Sequence, residues 1–196
     1  MSCLQIICVA YNRYIPLEIL CKCFQVQTNP NWVLHVVYDG KAPDDIIELI
    51  NPLLKDSRIH FYQSPERYQN YGHPNRKTML EALECNPKDF IWMQNDDNYV
   101  IPKSVEFIIN EIKWNTGIIY WNTLHSYMDY DVHKSELKEN SIDMAAFAVR
   151  ADIAKMTGFN HLHLSADGAY AEECLSTCTV KRLKTVKINK CLTIHN

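Results

Sequence analysis

Glycine is scarce in this chain, with only five among 196 residues. No Gly/Ser-rich linker, internal repeat or low-complexity tract divides the sequence, and such features usually mark linkers or repeat architectures. The length suits one domain with a substantial core. We therefore predict a single domain over residues 1–196.

An excess of basic residues is also missing. The 20 Lys and Arg residues are outnumbered by 23 Asp and Glu, which gives a formal net charge of -3 and a pI near 6.2. Proteins that bind nucleic acid usually carry clustered positive charge, so nucleic acid is not predicted as a partner. No apolar run reaches membrane-spanning length, and the first residues lack the basic start of a signal peptide. We expect a cytoplasmic protein without a transmembrane segment.

The eight cysteines include no Cys-x-x-Cys pair. Without a secretory signal, they are predicted to be reduced thiols rather than a disulfide framework. A structural zinc site is the alternative, because Cys21 lies close to Cys23 in the sequence and Cys174 close to Cys178. Their spacings differ from the paired Cys-x-x-Cys that structural zinc sites prefer.

Short apolar segments alternate with helical patterns through the first 114 residues. The pattern predicts strands over 3–10, 32–40, 58–63 and 89–95, and helices over 16–27, 42–54, 75–85 and 103–114. Beyond residue 114 it predicts strands over 117–128, 141–149 and 179–196, and helices over 150–156 and 167–178. Alternation of this kind favours parallel strands joined by right-handed crossovers. The predicted fold class is α/β, with a mixed, mostly parallel central sheet flanked by helices.

Polar residues follow three of the predicted strands. Ligands bind outside the carboxyl ends of the strands in sheets of this kind. Mg²⁺ and Mn²⁺ take oxygen ligands, often from one or two carboxylates and a substrate phosphate. The strand ends therefore make a divalent cation site plausible; the residues there are Ala10, Tyr11, Asn12, Asp39, Asn95, Asp96 and Asp97.

Five ordered segments carry a resemblance to a known family. The opening "ICVAYNRYIPLEILCKCFQVQTNPNWVLHVVYDGKAPDD" resembles that of the GT-A glycosyltransferases of the family 2 type. The segment "NDDN" falls where that family keeps its Asp-x-Asp motif. Further on, "SIDMAAFAVRADIAKMTGF", "SADGAYAEE" and "CLTIHN" resemble the stretch before the catalytic acid, the segment containing it, and the closing "L-x-x-H". The match covers nearly the whole chain.

The resemblance implies a role for each candidate residue. Ala10 and Tyr11 would flank the nucleotide base, and Asp39 would accept a hydrogen bond from the uracil imide. Arg76 would approach the base or the diphosphate, and Asn95 would contact the ribose. Asp97 would bind the metal, His195 would complete its coordination, and Asp167 would be the general base. Asn12, Arg13 and Asp96 complete the predicted nucleotide-sugar site.

Three positions depart from the family pattern. Asn95 replaces the first aspartate of Asp-x-Asp, Tyr38 replaces an acid before Asp39, and Ala166 replaces the usual glutamate before Asp167. One negative charge is lost at each position.

A metal-dependent glycosyltransferase is the function that the resemblance implies. It would move a sugar from a nucleotide-sugar donor, with a UDP-sugar favoured, to an unknown acceptor hydroxyl, using Mn²⁺ or Mg²⁺ and inverting the anomeric centre in a single displacement. Residues 1–102 would form the nucleotide-binding half and residues 103–196 the acceptor-side half. The alternatives are a sugar-phosphate nucleotidyltransferase and a sugar-nucleotide-binding module without catalysis. Nucleotidyltransferases usually carry a Gly-rich loop after the first strand, and "YNRYIP" has no glycine.

Several of these residues also have simpler structural interpretations. Asp96 and Asp97 suit a polar turn, Asp39 suits an Asp-Gly turn, and Asp167 suits a helix N-cap. His161 and His163 are expected in a loop, with metal binding as an alternative. The basic segment over 181–190 is interpreted as solvated strands, with a phosphate or membrane-surface contact less favoured. Most of five further aromatic residues are expected in the core, although Trp121 and Tyr127 could stack on a sugar; the five are Trp92, Trp114, Tyr120, Trp121 and Tyr127.

Overall fold

The computed structural model describes residues 2–196, and within this range nine strands form one sheet with six α-helices packed against it. The strands are β1 (Leu4–Ala10), β2 (Trp32–Tyr38), β3 (Ile59–Gln63), β4 (Phe90–Asn95), β5 (Tyr99–Val100), β6 (Thr116–His125), β7 (Asp131–His133), β8 (Phe147–Arg150) and β9 (Lys184–His195). The helices are α1 (Tyr14–Gln25), α2 (Asp44–Leu53), α3 (His73–Ala82), α4 (Ser104–Glu111), α5 (Ala151–Thr157) and α6 (Ala166–Val180).

The sheet runs in the order β3-β2-β1-β4-β8-β6-β9-β5, with β7 paired to β6. The four strands β3, β2, β1 and β4 are parallel, β8 is antiparallel to both of its neighbours, and β9 is parallel to β6. The carboxyl ends of β1, β2 and β4 therefore lie at one edge of the sheet. This edge carries the polar residues singled out in the sequence.

Burial on both faces explains the apolar character of β1, because successive side chains of a strand point to opposite faces. Ile6 and Cys8 join an apolar cluster with helices α1, α2 and α4, whereas Ile7 joins a second cluster with α3, α5 and α6. All seven residues of β1 are buried. The helices thus cover the two faces of the sheet.

The predicted α/β class and the four parallel strands are confirmed, while some second-half predictions are wrong. The strand predicted over 141–149 is a 3₁₀ turn at Met144–Ala146 followed by β8, and β5 and β7 were not predicted at all. Trp92 and Trp121 lie in the core as expected, but Trp114 is 87% exposed and Tyr127 is 64% exposed. Helix α4 ends at Glu111, so Trp114 lies in the following connection rather than on a buried helix face.

All eight cysteines are free thiols in the structure. No helix within residues 2–196 combines the length and the apolar character needed to cross a bilayer.

The loop before α3 has an unusual backbone. Gln69, Asn70, Tyr71 and Gly72 all have positive φ, from 45° to 75°. Non-glycine residues in this region cost about 1–3 kcal/mol each and often mark functional loops. Gly72 has a second constraint, because a Cβ added there would lie 2.6 Å from Cγ1 of Val9 in β1. The loop is therefore pressed against the end of β1.

The close approach at Gly72 yields a stability prediction. Gly72→Ala should lower the free energy of unfolding by about 2–4 kcal/mol, because a left-handed backbone and overpacking against a core strand both oppose it. Gly40→Ala is the control: φ there is also positive, at 98°, but the nearest heavy atom to an added Cβ is Arg67 Cβ at 3.4 Å. We expect the control to lose only about 1 kcal/mol in urea unfolding. Equal losses would contradict the steric role of Gly72.

Candidate active site

A polar cavity of about 530 Å³ lies at the carboxyl ends of β1, β2 and β4. Its walls come from these strand ends, from the loop over 67–73, and from Asp167 and His195 of the second half. The structure brings together ten of the eleven predicted site residues as lining of this cavity: Ala10, Tyr11, Arg13, Asp39, Arg76, Asn95, Asp96, Asp97, Asp167 and His195.

Asn12 is the predicted site residue that does not line the cavity. Its side-chain oxygen accepts a hydrogen bond from the Tyr38 hydroxyl at 2.9 Å, and its backbone is left-handed with φ 51°. The side chain therefore shapes the turn after β1.

Asp96 ties the end of β4 to the loop after β1. The carboxylate is buried and accepts hydrogen bonds from the Tyr11 backbone N–H at 2.9 Å and from Arg13 Nη1 at 2.9 Å. Burial raises the pKa of this carboxyl, while the two donors act in the opposite direction. Both oxygens of Asp96 are used within the protein.

Asp97 differs from its neighbour, because one of its oxygens has no partner. Oδ2 lies 2.6 Å from Arg13 Nη1, whereas Oδ1 is buried without a hydrogen bond. A buried polar atom without a partner is costly and calls for an explanation, such as a bound ion. The turn interpretation of the two aspartates does not explain this oxygen.

Arg76 is a buried cation at the floor of the cavity. Its guanidinium donates to Asn95 Oδ1 at 2.5 Å and to the Tyr71 carbonyl at 2.6 Å, and its Nε has no partner. Burial lowers the pKa of this side chain, and Asp167 and Asp96 oppose that effect. Arg76 thus links the strained loop to β4.

Asp39 holds the loop that closes the cavity. Its carboxylate accepts hydrogen bonds from the backbone N–H groups of Tyr68 and Gln69 at 2.8 and 3.0 Å, and from Asn75 Nδ2 at 2.8 Å. Two of the three donors bond to Oδ1, which leaves Oδ2 with capacity for a further donor. The Asp-Gly turn alone does not account for these contacts.

Arg67 is a site residue that the sequence interpretation missed. Its guanidinium lies over the Tyr11 ring at 3.7 Å from the centroid, on the cavity wall. Arginine packs well on aromatic faces. The pairing joins residues 56 positions apart through an irregular loop, and no local pattern signals it.

Asp167 lies at the start of α6, but it does not cap that helix. Ser165 occupies the N-cap position, and Asp167 Oδ2 instead accepts a hydrogen bond from the Met144 N–H at 2.9 Å. Burial raises the pKa of Asp167 to about 6; Asp143 adds to the rise, and Arg76 and His195 oppose it. A carboxyl of this kind is a better proton acceptor than an exposed one.

A second cavity of about 280 Å³ adjoins the first. Asp167 and Leu164 line both cavities, so the Asp167 carboxyl lies at their junction. The remaining walls of the second cavity come from residues of the 103–196 half: His125, His133, Asn140, Ile142, Asp143, Ser165 and Gly168.

His195 reaches the site through strand pairing. In β9, the neighbouring Ile194 pairs with Tyr99 of β5, two residues after Asp97. The His195 Nδ1 contacts the Asp143 carboxylate, which leaves Nε2 for another ligand. Burial alone would lower the pKa of His195, but Asp143 raises it above the ordinary value.

Asp143 is a second site residue missed from sequence. One oxygen contacts His195, and the other accepts the Ala145 N–H at 2.9 Å and so caps the 3₁₀ turn. His125 lies beside this pair, and the three residues offer ligand atoms within 4.8 Å of one another. Its position directly before "MAA" could have identified Asp143 as the cap of a turn, because aspartate commonly occupies such cap positions.

The structure also gives the positions of the two histidines and two aromatic residues for which ligand contacts were considered. His161 and His163 do not line the cavity with Asp97; His161 Nε2 instead lies 3.1 Å from Glu173 Oε2. Trp121 is fully buried against Trp92 and so is not placed to stack on a sugar, whereas Tyr127 is exposed beside His195.

The mixed sheet with a polar cavity at its parallel strand ends is of the GT-A type. The profile described as glycosyl transferase family 2 matches residues 5–170. The chain therefore belongs to glycosyl transferase family 2, as the sequence resemblance implied. None of the curated proteins matches significantly.

Solved structures show the same fold at low identity. A crystal structure of S. aureus TarS matches with a TM-score of 0.77 and 12% identity, covering 100% of this chain and 60% of that one. The TarS complex with UDP-GlcNAc matches with a TM-score of 0.77 and 14% identity, covering 98% and 58%. The mannosyltransferase PcManGT from Pyrobaculum calidifontis, in complex with GDP-Man and Mn²⁺, matches with a TM-score of 0.71 and 10% identity, covering 98% and 56%. The chain thus spans about three fifths of the length of these proteins.

Proposed function

We propose that the protein is a glycosyltransferase that moves a sugar from a nucleotide-sugar donor to an acceptor hydroxyl. The observation that carries this proposal is the position of Asp167, a carboxyl with a raised pKa at the junction of two cavities. An inverting transferase needs a base between its donor and its acceptor, whereas a binding module does not. Family membership supports the same reaction class.

The larger cavity is the proposed donor site. Ala10 and Tyr11 would flank the base, the free capacity of Asp39 Oδ2 suits the uracil imide N–H, and the amide of Asn95 suits a ribose hydroxyl. Arg13 and Arg76 would attract the diphosphate. Structures with the same fold hold UDP-GlcNAc and GDP-Man, and we favour a UDP-sugar because of Asp39.

A divalent cation, Mn²⁺ or Mg²⁺, fits the residues present. Asp97 and His195 both line the donor cavity; Asp97 Oδ1 is buried without a hydrogen bond, and the contact of His195 Nδ1 with Asp143 leaves Nε2 for a ligand. Asp143 would orient the His195 ring, as a carboxylate commonly does for a metal-binding histidine. A bound cation would offset the negative charge that develops on the departing diphosphate. The fold neighbour PcManGT was solved with Mn²⁺.

The proposed reaction is a single displacement. The acceptor hydroxyl gives its proton to Asp167 as its oxygen forms a bond to the anomeric carbon. The bond from that carbon to the diphosphate oxygen breaks, and its electron pair leaves with the nucleoside diphosphate. Attack from the side opposite the leaving group inverts the anomeric configuration. General-base assistance of this kind is worth about 10²–10⁴-fold in rate.

The smaller cavity is the proposed acceptor site. Residues 125–168 supply all of its lining, which suits the division into a nucleotide-binding half over 1–102 and an acceptor-side half over 103–196. His133, Asn140 and Ser165 offer hydrogen-bonding groups for a hydroxylated acceptor. A cytoplasmic location is also proposed, because eight free thiols suit a reducing compartment.

Calorimetric titration with UDP tests the metal assignment. We expect Mn²⁺ to strengthen UDP binding to the parent protein, and Asp97→Asn to abolish that gain because it removes the anionic ligand. Asp143→Asn should weaken Mn²⁺ affinity about 10–100-fold by releasing the His195 ring. Asp44→Asn, on an exposed helix surface, is the control. Undiminished Mn²⁺ dependence in Asp97→Asn would refute the metal site.

Donor turnover tests Asp167 as the base. Asp167→Asn should reduce transfer, or donor hydrolysis in the absence of acceptor, by about 10²–10⁴-fold with UDP binding retained. In the parent, the rate should fall as the pH drops through about 6, because the Asp167 carboxyl becomes protonated there.

The facing groups Asp143, Arg76 and His195 also carry charge, so UDP and Mn²⁺ binding must be measured over the same pH range. A rate that falls while binding stays constant supports Asp167. Full activity of Asp167→Asn would exclude it as the base.

A further inference from the structure

An exposed apolar and basic patch lies far from the candidate active site. It is formed by two adjacent connections, and we call it the Trp114 patch: Lys113, Trp114, Val180, Lys181, Arg182 and Lys184. The Lys184 N–H donates to the Asn115 carbonyl at 2.8 Å, and Thr116 pairs with Lys184 in the sheet. The two connections are therefore neighbours in space.

Trp114 has an unusual environment for its residue type. Its surface is 87% exposed, and that of Val180 is 81% exposed, whereas Trp32, Trp92 and Trp121 are at most 1% exposed. No aromatic or cation contact involves the Trp114 ring among residues 2–196. A large apolar ring left in water often marks an interaction surface when other apolar residues adjoin it.

The charges of the patch are all of one sign. Lys113, Lys181, Arg182 and Lys184 are exposed, and none forms an ion pair within the described part of the chain. Arg182 has φ 56° in the turn between α6 and β9, and Lys113 Nζ, in the other connection, donates to the Asn110 carbonyl at 2.7 Å. The whole chain has a net charge of -3, so positive charge is concentrated here against the average.

We propose that the Trp114 patch docks on an anionic lipid bilayer. Tryptophan favours the membrane–water interface, where its ring can enter the headgroup layer. Basic side chains near an anionic leaflet each strengthen binding about fivefold. The combination of an unpartnered Trp, a neighbouring Val and four unpaired cations suits a bilayer better than a soluble polyanion, which would engage the cations and leave the ring in water.

The patch also sets the orientation of the docked protein. It lies where β6 and β9 begin, and both strands run in the same direction as β4. The candidate active site lies at the opposite edge, where β1, β2 and β4 end. Docking would therefore leave both cavities facing the aqueous phase, so the inference does not depend on the proposed function.

Vesicle binding tests the proposal. The protein is mixed with vesicles of phosphatidylcholine alone or with about 30% phosphatidylglycerol, and sedimentation is combined with tryptophan emission. We expect binding only to the anionic vesicles, with a blue shift that Trp114→Phe removes, because the other three tryptophans are already buried. Lys181→Gln with Arg182→Gln should weaken binding about 25-fold, at about fivefold for each cation.

The matched control is Lys134→Gln with Lys138→Gln, two exposed lysines that follow β7 near the carboxyl end of β6, opposite the patch, and this variant should bind like the parent. Equal loss in the two double variants would overturn the patch assignment. Absence of binding to anionic vesicles would overturn the proposal outright. Vesicle binding with no emission shift, together with competition by heparin, would assign the patch to soluble polyanions instead.

Discussion

The buried carboxylate of Asp96 is the contact on which the candidate site depends. It joins the end of β4 to the turn after β1 through the Tyr11 N–H and Arg13. A charge at this depth is tolerated only when hydrogen bonds and an opposite charge satisfy it. Since Asp96 and Arg13 hold the two strand ends together, the adjacent Asp97 is left with one oxygen directed to no protein partner. The two neighbouring carboxylates thus differ: both oxygens of Asp96 are hydrogen-bonded within the protein, and one oxygen of Asp97 is not.

The second half of the chain completes the site by long-range pairing. The short strand β5 pairs with β9 and brings His195 to the edge where Asp97 lies. Asp143 contacts His195, and Asp167 is held by the Met144 N–H next to that aspartate. The segment over 143–144 therefore orients two of the functional groups, although it contains neither of them.

Local sequence patterns predicted much of the fold and of the site. Strands β1 to β4 are continuous apolar runs with polar residues directly after them, and parallel strands must place those ends together, so Asp39 and Asp97 could be anticipated. β5 could not, because two residues carry no periodic signal and form a strand only against β9. Arg67 and Asp143 were not predicted as site residues for a similar reason: their partners, Tyr11 and His195, are distant in sequence. The positive φ angles at Gln69 and Tyr71 also contradict local preference.

The claim that Asp96 stabilises the fold and Asp97 does not is tested most directly by the unfolding free energies of Asp96→Asn and Asp97→Asn without ligand. The account predicts that Asp96→Asn loses about 1–3 kcal/mol, because the amide can accept only one of the bonds from Tyr11 and Arg13 and carries no charge to strengthen it. Asp97→Asn should stay within about 1 kcal/mol of the parent, because its only bond is to a half-exposed arginine. The opposite order, with Asp97→Asn the more destabilised, would contradict the account.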